Sequence, residues 1–124
     1  MDFIATPPGG ILPDYPLTPQ GDGSHASTIF FPARFCGVEG VVHGGVISMY
    51  FDELLGAVAN HAPGDWWATA SLHIDYRAPS PIGQMLRAIV QPVEREGRKC
   101  RVRGQLYAGD VLCAEAEGLF VKVR

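Results

Sequence analysis

The sequence predicts an α+β domain in which an antiparallel sheet wraps around one long helix, on three observations. A single stretch, Gly44 to Asn60 (GGVISMYFDELLGAVAN), has helix length and apolar residues over most of its circumference. Four strand-length segments follow it, separated by short turn signals. The chain of 124 residues has room for one domain with a real core and no more. A helix this apolar must be enclosed by a sheet rather than laid on its surface.

Taken in order, residues 1–23 stand apart. They hold five of the ten prolines (Pro7, Pro8, Pro13, Pro16, Pro19) and four of the fifteen glycines. Such a segment cannot propagate a helix or a central strand, so an N-terminal arm, extended or draped over the body, is expected over 1–23, with the domain proper over 24–124. Residues 27–31 read as a first strand stopped by Pro32. The helix is expected to stop at His61-Ala62-Pro63-Gly64. Strands are expected at Trp66–Arg77, Met85–Glu94, Lys99–Tyr107 and Val111–Val123, with turns at residues 79–83, 96–97 and 109–110. In the first of these, strict alternation puts Trp66, Ala68, Ala70, Leu72, Ile74 and Tyr76 on the apolar face and Thr69 on the other. The short turns imply an antiparallel meander.

Composition narrows the function. Hydrophobic residues are 47% and charged ones 19%, a globular balance. A net charge of −3 argues against nucleic acid as the main partner. No apolar run approaches the roughly 20 residues of a membrane span, and the N-terminus lacks a secretory pattern. A soluble, cytoplasmic protein is expected. Cys36, Cys100 and Cys113 are odd in number and lack CxxC spacing, which suits reduced thiols. The histidines at 25, 43, 61 and 73 show no ligand spacing, so neither a metal nor a cofactor is expected.

On a helical wheel, Ile47, Tyr50, Phe51, Leu54, Leu55, Ala57 and Val58 form the core stripe. Opposite them Ser48, Asp52, Gly56 and Asn60 make an i, i+4 ladder, flanked by Met49 and Ala59. Exposed helix faces usually carry long charged side chains, so a lone carboxylate among small residues marks a contact face centred on Asp52. The helix opens at His43-Gly44-Gly45. Two glycines weaken a helix by about 1 kcal/mol each, and they make sense where a ligand meets the backbone. Free N–H groups at that end can polarise a carbonyl and hold an oxyanion. Asp52 lies eight residues after Gly44, roughly 12 Å along the axis. One helix cannot bring both to a single reaction centre, whereas a two-fold dimer can.

These residues are familiar as a set. Gly37-Val38-Glu39-Gly40-Val41-Val42-His43-Gly44-Gly45, followed by Asp52, Glu53 and Gly56, resembles the hot-dog-fold acyl-CoA thioesterases of the PaaI type. The strand Thr69-Ala70-Ser71-Leu72-His73-Ile74-Asp75-Tyr76-Arg77-Ala78-Pro79 is similar to a second block of that family. The resemblance implies hydrolysis of an acyl-CoA thioester, with coenzyme A entering as part of the substrate. It places the catalytic acid at Asp52 and the carbonyl-polarising N–H at Gly44 or Gly45. It gives His43 a supporting role and makes Thr69 the counterpart of a threonine that assists catalysis in some relatives. It also implies a homodimer or a dimer of dimers with sites at the interface. Where some relatives carry an asparagine six residues before the histidine, this chain has Gly37. That position is expected to line the substrate site without an amide.

Five of the ten basic residues, Arg95, Arg98, Lys99, Arg101 and Arg103, crowd into nine positions. They read as a solvated strand face or as a dock for coenzyme A phosphates, with Arg98 and Lys99 the candidates. Cys36 precedes His43 by seven residues, but nothing orients the two as a nucleophile and base, and an inert thiol is the commoner case. His25 and His73 are expected to be exposed or hydrogen-bonded, and one of Trp66 and Trp67 to join the core. Two other functions fit the same residues: a hot-dog hydratase or dehydratase on acyl thioesters, and an acyl-CoA-binding protein without catalysis.

Overall fold

The computed structural model describes residues 3–4, 11–60 and 65–123. Among the described residues, seven strands form one sheet: β1 (Phe3–Ile4), β2 (Pro16–Pro19), β3 (His25–Phe30), β4 (Trp67–Tyr76), β5 (Met85–Glu96), β6 (Lys99–Ala108) and β7 (Val111–Lys122). Their spatial order is β1-β2-β3-β5-β6-β7-β4, with every neighbouring pair antiparallel. The helix α1 (Gly44–Ala59) packs against β4, β5, β6 and β7, and a 3-10 turn at Ala33–Phe35 precedes it. This is the hot-dog arrangement.

The meander holds for β5, β6 and β7, but β4 does not join it. It pairs with β7 at the far edge. The reason lies in the connection through residues 77–84. Pro79 and Pro81 have no N–H to give a hairpin ladder, and Pro81 instead bridges to Val41 in the loop before the helix. The chain therefore leaves the sheet after β4 and re-enters on the other side of the meander.

The helix buries Ile47, Tyr50, Phe51, Leu54, Leu55 and Val58 as its pattern predicts. At its last turn the stripe departs from expectation: Ala57 is half-buried and Ala59 fully buried. Ala59 continues the row Phe51–Leu55 at i+4 spacing, which keeps it under the sheet. The stop signal at residues 61–64 lies outside the described residues, and Asn60 provides the cap. Its side-chain amide donates to the Gly56 carbonyl at 2.8 Å, and its Oδ1 accepts the Trp67 N–H at 2.8 Å. One residue thus ends the helix and aims the start of β4.

Residues 11–23 contribute directly to the core. Leu12, Tyr15 and Leu17 are buried, and β2 pairs with β3 through Leu17, Thr18 and Pro19. The Tyr15 ring meets Tyr50 edge-on at 5.4 Å, and Phe31 meets Tyr50 at 6.0 Å, a favourable aromatic geometry. Pro7 and Pro8 lie outside the described residues. Tyr50 satisfies its hydroxyl by donating to the buried Ser27 Oγ at 3.0 Å.

Two glycines bring helix and sheet together. A methyl group on Gly118 would sit 2.7 Å from the Phe120 ring and 3.3 Å from Leu55, and one on Gly104 would sit 3.0 Å from Leu55. Phe120 is 1% exposed and packed on all sides, so it has little room to yield. Gly118→Ala should therefore destabilise the fold by about 1–3 kcal/mol, read as a lower urea midpoint at unchanged m-value. An unchanged midpoint would mean that the core relaxes freely around Phe120.

Candidate active site

The helix start is built around His43. Its backbone stands at φ −55° and ψ 132°, outside the helix, and its Nδ1 accepts the Gly45 N–H at 2.9 Å. That is an N-cap made by an imidazole. The lone pair on Nδ1 is committed, so in this arrangement the neutral ring carries its hydrogen on Nε2. The His43 carbonyl accepts the N–H groups of Val46 and Ile47. Of the two glycine N–H groups, Gly45's is thus engaged, and among the described residues Gly44's has no acceptor. The sequence left Gly44 and Gly45 as equal candidates for polarising a carbonyl; the geometry separates them.

Gly37 lies directly beneath His43. A Cβ there would stand 3.1 Å from the His43 Cα and 3.3 Å from its Cδ2. A side chain at position 37 would require His43 to give by a few tenths of an ångström. Gly37, Val38, Val42, His43, Gly44 and Tyr76 are among the residues lining a pocket of about 790 Å³ at the helix start.

The small polar ladder on the opposite helix face turns out to meet β4. Ser48 Oγ lies 2.9 Å from the Tyr76 hydroxyl, Asp52 Oδ1 accepts from Thr69 Oγ1 at 2.8 Å, and Asn60 holds Trp67. Helix and strand run in opposite senses along this seam. Strict alternation puts Thr69 on the wrong face, and the structure corrects it. The register against β7 shifts between Thr69 and Ser71, so Ala70 is the extra residue of a bulge. Before the bulge, odd-numbered Trp67 and Thr69 face the helix. After it, even-numbered Leu72, Ile74 and Tyr76 do. Trp67 accordingly packs on the core beneath the Arg95 guanidinium, 5.0 Å from its ring, while Trp66 is exposed.

Next to Asp52, burial and then the Asp52 charge push the Glu53 carboxyl above the usual range. Burial, reinforced by Glu53, pushes the Tyr15 phenol up in turn. Glu53 therefore belongs to the side of the helix covered by Tyr15, and Asp52 to the side covered by β4.

The structure does not bring Arg98 and Lys99 to this pocket. Arg98 donates to the Lys122 carbonyl at 2.7 Å, and Lys99 pairs with Val121, beside the Trp67 end of β4. The pocket lies at the Tyr76 end, some nine residues or roughly 30 Å further along the strand. On the outer face, Arg101 and Arg103 are met by Glu117, and Arg77 by Asp75 and Glu115. That matches a solvated strand face with its charges paired. His73 is exposed beside Asp75. Cys36 is exposed, with its thiol 3.0 Å from the Val38 carbonyl, while Cys100 and Cys113 are buried. Tyr76 and Ser48 were not singled out as site residues from the sequence. The available signal was a tyrosine at a strand end, weak because Tyr76 stays exposed.

Among the described residues, no helix is long and apolar enough to cross a membrane. The family model described as thioesterase superfamily matches residues 39–115, more than half of the chain. An uncharacterized protein of Schizosaccharomyces pombe is 33% identical over 89% of this chain and 66% of its own length. The acyl-coenzyme A thioesterase THEM4 of Xenopus laevis is 38% identical over 77% of this chain and 44% of its own. The chain thus spans less than two thirds of these relatives. The crystal structure of a Bacillus halodurans protein with CoA has the same fold, at a TM-score of 0.76 and 24% identity over 87% of this chain and 73% of that one. With this fold, this helix start and a family match running from Glu39 to Glu115, the chain belongs to the thioesterase superfamily.

Proposed function

We propose that the chain hydrolyses acyl-CoA thioesters as a homodimer. One observation carries the reading. A free N–H at Gly44 opens onto an apolar pocket, while Asp52, fastened by Thr69, stands about 12 Å further along the same helix. That span is too long for one chain to act on one carbonyl and is what a two-fold partner with an antiparallel helix would close. β4 supports such a partner: it is an edge strand, and residues 68–71 along it are exposed. The THEM4 relative and the CoA-bound fold neighbour support an acyl-CoA as substrate.

In this reading the thioester carbonyl accepts the Gly44 N–H, and the partner subunit's Asp52 takes a proton from water. Thr69 occupies Oδ1 and leaves Oδ2 for that proton. Water oxygen bonds to the carbonyl carbon, and the negative charge that develops on the carbonyl oxygen rests on Gly44. The C–S bond then breaks, and the sulfur leaves with the proton as free CoA thiol beside the acid. His43 holds Gly45 and so shapes the turn, and Gly37 gives the His43 ring its space. Direct attack by Asp52 on the carbonyl, through an anhydride that water then cleaves, uses the same groups.

The experiment is thiol release from short, medium, long and aromatic acyl-CoAs, with a thiol-blocked control because the chain has three cysteines. Equal release of CoA and free acid is expected. Tight binding of acyl-CoA without release would favour a binding protein, the reading that the missing asparagine at Gly37 suggests. Addition of water to an enoyl-CoA would favour the hydratase.

A further inference from the structure

We propose that Tyr76 is a positioning residue of this site, which holds the Gly44–Gly45 peptide so that the Gly44 N–H keeps one orientation. The inference rests on the thioester reading above and adds a residue to it. Two successive glycines have wide φ/ψ freedom, so the backbone at the helix start is soft where catalysis needs a fixed donor. The peptide between them is nevertheless tied at both ends. Its carbonyl accepts the Tyr76 hydroxyl at 2.7 Å, and its N–H donates to His43 Nδ1 at 2.9 Å.

A planar peptide held on both sides cannot rotate about its own axis. On the other side of Gly44, the His43–Gly44 peptide that carries the N–H is held by its own carbonyl, which accepts the Val46 and Ile47 N–H groups, so the φ and ψ of Gly44 are set between two fixed peptides. Ser48 stands behind the tie: its Oγ lies 2.9 Å from the Tyr76 oxygen and 3.3 Å from the Gly44 carbonyl. With the phenolic hydrogen spent on Gly44, the Ser48 hydroxyl can donate to the Tyr76 oxygen or to the Gly44 carbonyl itself, and either bond backs the tie from the helix. The ring of Tyr76 also lies 3.7 Å from where a Gly44 Cβ would be, and it forms one wall of the pocket. The strand end that places Tyr76 here is the same strand whose other half holds Asp52 through Thr69. A single element thus sets both the donor and the acid.

The test is Tyr76→Phe, which deletes the hydroxyl and keeps the ring. With the fastest acyl-CoA of the panel, kcat should fall by about 10- to 100-fold, at a KM within about twofold and an unchanged Tm. In parallel, hydrogen exchange of the Gly45 amide, read by nitrogen-15 NMR of the unliganded protein, should speed up. An unchanged kcat, or a fall without faster Gly45 exchange, overturns the proposal. If the wild type releases no thiol from any acyl-CoA, the thioesterase reading fails separately. Unchanged Gly45 exchange in Tyr76→Phe then overturns the holding role on its own. Ser48→Ala, which removes the donor behind the phenol, should move both readouts in the same direction by a smaller, severalfold amount. It carries the test if the phenylalanine variant does not fold.

Discussion

Asp52→Asn should abolish most thiol release, with kcat lower by about 10²–10⁴ and the fold intact. The substitution is close to isosteric. Asparagine keeps an Oδ1 that can accept from Thr69, so the 2.8 Å tie to β4 survives, while the amide has no lone pair basic enough to take a proton from water. Thermal stability and KM should therefore stay near the wild type. Glu53→Gln is the matched control one residue away. Its carboxyl sits on the Tyr15 side of the helix, and its loss should leave kcat unchanged. If Glu53→Gln were the silent enzyme and Asp52→Asn the active one, the acid would have to be reassigned to the other face of the helix.

The second large effect is expected of Gly44→Pro, which removes one N–H and little else. Gly44 is the first helical residue, where proline is well tolerated because that N–H has no helical acceptor. His43 already has the extended backbone that a following proline requires. A Cβ at position 44 would make only ordinary contacts, 3.7 Å and more, with Tyr76. The fold should persist while kcat falls by about 10²–10³, the usual cost of losing one oxyanion donor. Mixing this variant with Asp52→Asn then tests the shared site. Random exchange makes half of the dimers mixed, and each mixed dimer has one intact site of two, so about a quarter of wild-type activity should return. No recovery after verified exchange would mean that donor and acid serve the site from one chain.

Much of the fold was legible because periodicity carries it. The helix-length apolar run and the turn signals, among them Gly97 and Gly109, both at φ 58°, placed the helix and the four strands after it within a few residues. Asp52 stood out for the same reason, as a carboxylate among small residues that no solvated helix face would choose. Two features were illegible for physical reasons. Tyr15 and Leu17 sit among prolines, where local propensity points to an arm, and only tertiary burial against Tyr50 reveals them as core. The bulge at Ala70 falls in Ala-Thr-Ala-Ser, without a glycine or proline to announce it. Missing it put Thr69 on the wrong face, away from the Asp52 carboxylate to which it donates.

Ala70 acts as a phase shifter. An unbroken strand lying along a helix can offer that helix only one parity of its residues. β4 offers the odd set to the Asp52 end and the even set to the Gly44 end, because one extra residue advances the pleat by half a period. The two halves of the seam are therefore numbered independently. Deleting that one residue would put either Trp67 and Thr69 or Leu72, Ile74 and Tyr76 out of phase with the helix.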